Sequence, residues 1–169
     1  MSLEAGTGDW VLLSYRVPRV PSSPRIAIWR KLKRLGVAQI SDGLVALPAD
    51  ARTREQLEWI AAEVTDAGGS ATVWLARPAA AAAERELAAG MAAARAAEYR
   101  ALTAEAEAAL PTGQPARASA LRRLRGELRR IGRRDFFPPP ERDLARSAVE
   151  ALAAPAGVPA GPASAEMPR

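Results

Sequence analysis

Asp9 to Ala76 reads DWVLLSYRVPRVPSSPRIAIWRKLKRLGVAQISDGLVALPADARTREQLEWIAAEVTDAGGSATVWLA, and its breaks divide it into six elements. The run Asp9 to Tyr15 is rich in apolar and β-favouring residues and too short for a stable helix, so it predicts a first strand, β1. Ser23 as N-cap, Pro24 at the first helical position and Gly36 as a stop bound a helix, α1, over Pro24 to Leu35. At the helical angular step, Ile28, Trp29, Leu32 and Leu35 share one side of α1, and Arg30, Lys31, Lys33 and Arg34 fall on the other. Val37 to Ser41 and Leu44 to Leu47 flank Asp42-Gly43, the dipeptide that supplies the positive φ of a tight hairpin, and predict β2 and β3. Thr53 to Gln56 has the form of a capping box; Leu57, Ile60, Ala61 and Val64 then recur at helical spacing until Gly68-Gly69 ends α2. Ser70 to Ala76 predicts β4. The order β-α-β-β-α-β is that of a ferredoxin-like sandwich of the α+β class, with both helices on one face of a four-stranded antiparallel sheet.

Outward from this segment, residues 1–8 precede any periodic pattern and are expected to be a disordered start, so the sandwich is assigned to residues 9–77. A helical extension is assigned to residues 78–154. Its first helix, α3, runs from Pro78 to Ala109 with Leu87, Met91, Tyr99 and Leu102 along one stripe and a weak point at Gly90. Pro111 to Pro115 breaks the pattern, and Ala116 to Arg134 resumes it as α4 with Leu121, Leu124, Leu128 and Ile131 at a/d spacing. The pair predicts an antiparallel hairpin. Asp135 to Pro140 is a stiff joint, with Phe136 and Phe137 as docking residues for a short helix, α5, from Glu141 to Ala153, anchored by Leu144, Val149 and Leu152. Residues 155–169 are rich in Pro, Gly and Ala with little apolar bulk, and are expected to be a disordered tail.

Composition excludes whole classes of chemistry. The 169 residues contain no cysteine and no histidine, which removes disulfides, Cys/His zinc sites, thiol nucleophiles and imidazole triads together. No glycine loop cradles a phosphate, since Gly6-Thr-Gly8 precedes the first strand, and the carboxylate pairs Glu84/Glu86 and Glu105/Glu107 sit two apart on a helix and point to different sides. No enzyme, no cofactor and no metal is therefore expected. No run of 18 or more apolar residues and no secretory leader is visible, so a cytoplasmic protein without a membrane partner is expected.

The charge is distributed unevenly. Lys plus Arg number 24 against 19 Asp plus Glu, a formal net charge of +5. Between Ser14 and Gly36 there are seven cations, Arg16, Arg19, Arg25, Arg30, Lys31, Lys33 and Arg34, and no carboxylate. In α4, Arg117, Arg122, Arg123, Arg125, Arg129, Arg130, Arg133 and Arg134 oppose Glu127 alone. Clustered, uncompensated cations are what phosphate neutralisation requires, although a solvated helix face carries the same pattern. Candidate DNA-binding residues are accordingly Arg25, Arg30, Lys31, Lys33, Arg34, Arg122, Arg123, Arg129, Arg130, Arg133 and Arg134. Arg16, Arg19, Ser22, Ser23 and Arg25, near the start of α1, form a candidate oxyanion site. Trp10, Trp29, Trp59 and Trp74 are read as core rather than as base-stacking residues.

Three stretches, Asp9 to Pro48, Thr53 to Ala76 and the segment IGRRDFFPPPERDLARSAVEAL ending at Leu152, together resemble the N-terminal domain of the chromate-resistance protein ChrB. Its specific marks here are Ser14-Tyr15-Arg16, the run from Pro21 to Arg25, Trp29 to Leu32 and the Arg134 to Phe137 joint. The resemblance implies a chromate-responsive transcriptional repressor that controls a chromate exporter operon. Longer members of that family continue into a second chromate-resistance domain beyond the point reached by Arg169, and sensing done by that domain is expected to be missing. CRISPR-associated nucleases with the same sandwich place an aspartate just after β1, where this chain has Ser14-Tyr15-Arg16, so nuclease activity is not expected. The expected protein is a homodimeric DNA-binding regulator, with chromate or sulfate as a possible reversible ligand. Its rival is a non-catalytic protein-interaction or oligomerisation module in chromate resistance without direct DNA binding.

Overall fold

A computed structural model describes residues 9–154; the two terminal segments read above as disordered lie outside the described residues. The elements are β1 (Trp10–Arg16), α1 (Ser23–Leu35), β2 (Ala38–Ser41), β3 (Leu44–Pro48), α2 (Ala51–Asp66), β4 (Ser70–Ala76), α3 (Ala81–Ala109), α4 (Gln114–Gly132) and α5 (Glu141–Ala151). The fold is mixed α and β, with one four-stranded sheet in the order β2-β3-β1-β4. Every neighbouring pair of strands is antiparallel.

Strand register decides what each face of the sheet must bury. Leu13 pairs with Val45 and with Val73, and Val11 pairs with Leu47, so these side chains lie on one face. Val11, Leu13 and Leu47 are fully buried there, in a cluster with Ile28 and Leu32 of α1 and Leu57, Ile60 and Val64 of α2. Leu12 pairs with Ala46 and Trp74 and belongs to the opposite face. Part of that face is covered by α3: an apolar cleft of about 710 Å³ runs between Trp10, Leu12 and Ala46 on the sheet and Leu87 and Met91 on the helix.

Helix starts differ from the sequence reading by one turn or less, and the hydrogen bonds show why. In α2 the cap is Asp50, and Thr53 is the third helical residue: the Thr53 amide donates to Asp50 Oδ1 at 2.6 Å, and the Asp50 amide donates to Thr53 Oγ1 at 2.9 Å. The capping box is therefore Asp50 with Thr53, not Thr53 with Gln56. The amide bond from Thr53 holds the Asp50 carboxyl below its ordinary range. Asp50→Ala is expected to destabilise the chain by about 1 kcal/mol, read from a urea denaturation midpoint, with Asp50→Ser recovering most of that loss. In α1 the cap position belongs to Ser22, whose side chain makes no capping hydrogen bond, and Pro24 is the second helical residue.

The helical extension forms a second core around Tyr99, Leu102, Ala106, Leu124, Ile131, Ala145 and Val149, in which α5 packs on both α3 and α4. α3 is continuous through Gly90. Leu144 was expected to anchor α5 but is 63% exposed, and the fully buried Ala145 takes its place beside Val149 and Leu152. The joint holds the two cores together. Phe137 stacks on Trp10 at 6.0 Å, the Arg52 guanidinium lies 5.8 Å from the Phe136 ring, and both phenylalanines pack against the sheet-side cluster rather than against α5. Of the four tryptophans only Trp10 is core; Trp29, Trp59 and Trp74 are at least half exposed, which corrects the sequence reading.

A candidate nucleic-acid interface and an adjoining arginine cleft

The cationic face of α1 survives folding. Ile28 and Leu32 point into the core, leaving Arg25, Arg30, Lys33 and Arg34 exposed on the outer surface. Among the described residues none of these four is ion-paired with a carboxylate. Lys33 Nζ lies 5.2 Å from the centre of the exposed Trp29 ring, a cation–π contact that keeps an aromatic plate beside the charges. Lys31 is different: it bridges to Glu63 of α2 at 2.5 Å and ties the two helices together.

On α4 the tally changes more. Arg123 pairs with Glu105 at 2.7 Å and Arg130 with Glu127 at 2.5 Å. Arg134 pairs with Glu98 at 2.9 Å, is mostly buried, and shares that carboxylate with the buried Arg95. Arg117 is buried and donates to the Ala154 carbonyl at 2.8 Å. Among the candidate residues on and just after α4, Arg122, Arg129 and Arg133 have no carboxylate partner among the described residues. The sequence count of unbalanced arginines missed the pairs to Glu98 and Glu105, and that of Arg125 with Glu150, because these carboxylates come from neighbouring helices.

The candidate oxyanion residues are brought together in part. Arg16 at the end of β1, Arg19 in the following loop and Arg25 in the first turn of α1 line one open cleft of about 700 Å³, closed on the other sides by Asp42-Gly43 of the hairpin and Gly68 to Ser70 before β4. Ser22 and Ser23 are exposed and do not line it. Tyr15, which was not among the site candidates read from the sequence, does. Burial, and after it the Asp42 carboxylate, raise the Tyr15 hydroxyl above its ordinary range, so at neutral pH it is a hydrogen-bond donor. Three guanidiniums and a phenol around one opening suit a small dianion, with Asp42 opposing it at the rim.

A second basic cleft, of about 780 Å³, lies between α4 and α5 and is lined by Arg125, Arg129, Arg133, Arg142 and Arg146. Arg142 and Arg146 were not among the sequence candidates, since α5 taken alone alternates acids and bases. At the base of this region the fully buried Asp135 carboxyl accepts from the Tyr99 hydroxyl at 2.9 Å. Burial first, and then the bond to Asp135, push the Tyr99 hydroxyl up to about 12. Among the described residues no group of three or more metal-ligating side chains occurs, and no described helix is long and apolar enough to cross a membrane.

Comparison with known proteins places the chain by family. No curated protein and no solved structure matches it. The family model described as Protein ChrB, N-terminal, matches residues 25–109, from the first turn of α1 to the end of α3. Half of the chain is covered, including the whole cationic face of α1, and the chain therefore belongs to the ChrB N-terminal family, which associates it with chromate resistance.

Proposed function

We propose that this chain is a DNA-binding transcriptional regulator of chromate resistance, a repressor that works as a homodimer in the cytoplasm and without catalysis. Its sheet order and paired crossovers are read as those of a ferredoxin-like sandwich. The observation that carries the proposal is the outer face of α1, where Arg25, Arg30, Lys33 and Arg34 are exposed with no carboxylate partner among the described residues, while Lys31 on the same helix is paired with Glu63. Charges left unmatched on one helix gain most from a polyanion, because each phosphate they neutralise releases counterions. A two-fold dimer would present two such helices and let modest single contacts add to useful affinity. Fluorescence anisotropy of the full chain on duplex DNA from the operon it controls, over a salt series, tests this; no binding at low salt rejects it.

The cleft of Arg16, Arg19, Arg25 and Tyr15 is the proposed place for chromate. With no cysteine in the chain, a bound dianion is held reversibly and is not reduced by a thiol. Isothermal titration with chromate is expected to give heat that Arg19→Ala weakens by roughly tenfold, about 1.4 kcal/mol, in line with loss of one charge-assisted hydrogen bond. Absence of heat with both chromate and sulfate removes the sensing role.

A second reading, a non-catalytic interaction module, is favoured by the exposed rings of Trp59 and Trp74, which the core leaves outside. An electrophoretic shift experiment without any DNA complex at low salt, together with self-association in sedimentation, would select it.

A further inference from the structure

Arg125, Arg129 and Arg133 follow each other at four-residue steps on and just beyond α4, and Arg142, Arg146 and Glu150 do the same on α5; both runs line one cleft. Arg125 grips Glu150 at two points, Nη2 to Oε2 at 2.5 Å and Nε to Oε1 at 2.9 Å, and this fork marks one place where the two helices face each other. Stepping four residues at a time from that fork towards the joint on both helices matches Arg129 with Arg146 and Arg133 with Arg142, and all four line the cleft. The first rung of this ladder is therefore an ion pair, and the next two are pairs of like charge.

Nothing in the packing requires those like charges. Leu124 and Ile131 of α4 and Ala145 and Val149 of α5 sit in the shared apolar core, and guanidiniums brought close together repel. Local acids compensate little. Asp143 lies 3.5 Å from Arg146 and is largely exposed, while Asp135 lies 4.0 Å from Arg142 and already accepts from Tyr99. Arg129 and Arg133 have no carboxylate partner among the described residues.

We propose that the cleft between α4 and α5 binds a compact phosphate-bearing polyanion, a diphosphate group held between the Arg129/Arg146 and Arg133/Arg142 rungs. The rungs are about 6 Å apart along the helices, within the reach of flexible arginine side chains around two joined phosphoryl groups. The Arg125–Glu150 fork closes one end, which suits a short anion better than a long strand. The site lies on helices outside the residues matched by the family model and is independent of the α1 reading.

Calorimetric titration of the full chain with inorganic diphosphate, sulfate and a DNA duplex tests the site. Diphosphate is expected to bind more tightly than sulfate, Arg129→Ala with Arg146→Ala to weaken it at least tenfold, and Arg30→Glu with Arg34→Glu to leave it unchanged. A melting curve adds a readout that a structural role would move the other way: the Arg129/Arg146 variant is expected to melt at or above the wild-type temperature without ligand, and only the wild type to gain stability from diphosphate. No heat with diphosphate, an unchanged affinity in the variant, or a variant that melts several degrees lower would each overturn the proposal. So would a variant that loses duplex binding when diphosphate does not compete, since the cleft would then serve the DNA backbone.

Discussion

Arg30→Glu with Arg34→Glu is expected to weaken DNA binding on the order of a hundredfold at low salt and to flatten its salt dependence. If about six phosphates are neutralised, log K should fall with log salt at a slope of about −5.4, and removing two contacts should bring the slope to about −3.6. Reversal does more than removal, because each new carboxylate repels the phosphate that the arginine had attracted. Both positions are exposed helix sites with no carboxylate partner among the described residues, so folding should be untouched and the circular dichroism melt superimposable. Arg130→Ala is the internal contrast: its charge is already answered by Glu127, and its loss should barely move the slope. An isotherm unchanged by the double reversal would rule out α1 as the contact.

Tyr99→Phe is expected to be the most destabilising conservative change in the helical extension, at about 2–3 kcal/mol. The ring is buried and its replacement keeps the packing, so the effect isolates the hydroxyl, which donates to the fully buried Asp135 carboxyl. The other oxygen of Asp135 has no hydrogen-bond partner among the described residues, so losing this donor leaves the carboxyl dependent on Arg142 at 4.0 Å. The pH dependence carries a sign. Tyr99 ionises at a higher pH folded, about 12, than its ordinary 10.0, so its contribution is complete below pH 10 and disappears as the pH rises towards 12. The stability gap between wild type and Tyr99→Phe should stay constant up to that range and close above it, measured by chemical denaturation across the alkaline limb. A gap that does not narrow would mean that the hydroxyl is not the source of the difference.

Much of the four-stranded sheet and its two helices was legible because its signals are local. Asp42-Gly43, Gly36 and Gly68-Gly69 stand where the backbone turns, with Gly36, Gly43 and Gly68 at positive φ, and the apolar spacing of Ile28 with Leu32 and of Leu57 with Val64 matches what is buried. The tryptophans misled because hydrophobicity alone was counted. Trp59 is off the stripe of Leu57, Ile60 and Val64, and Trp74 pairs with Leu12 rather than Leu13, which puts it on the more open face at an edge strand. Ion pairs between helices were invisible for a different reason. Arg123 with Glu105 and Arg134 with Glu98 are separated by 18 and 36 residues, and no spacing rule within one helix can find them. The oxyanion cleft was half legible: Arg16, Arg19 and Arg25 are near in sequence, but Gly68 to Ser70 and Asp42 reach it only through sheet order.

Gly36 ends α1 at a φ of 74°, and a Cβ placed there would sit 2.6 Å from Arg95 Nη1 and 2.9 Å from Arg134 Cβ. Those two arginines belong to the extension, so the C-terminal end of the basic helix rests on residues that deletion mapping would be tempted to discard. A truncation after Arg77 would strip away that seat together with Phe137, the ring that covers Trp10. Loss of DNA binding in such a fragment would report an unsupported helix, not a missing contact, and domain mapping of this protein has to proceed by point substitution in the intact chain.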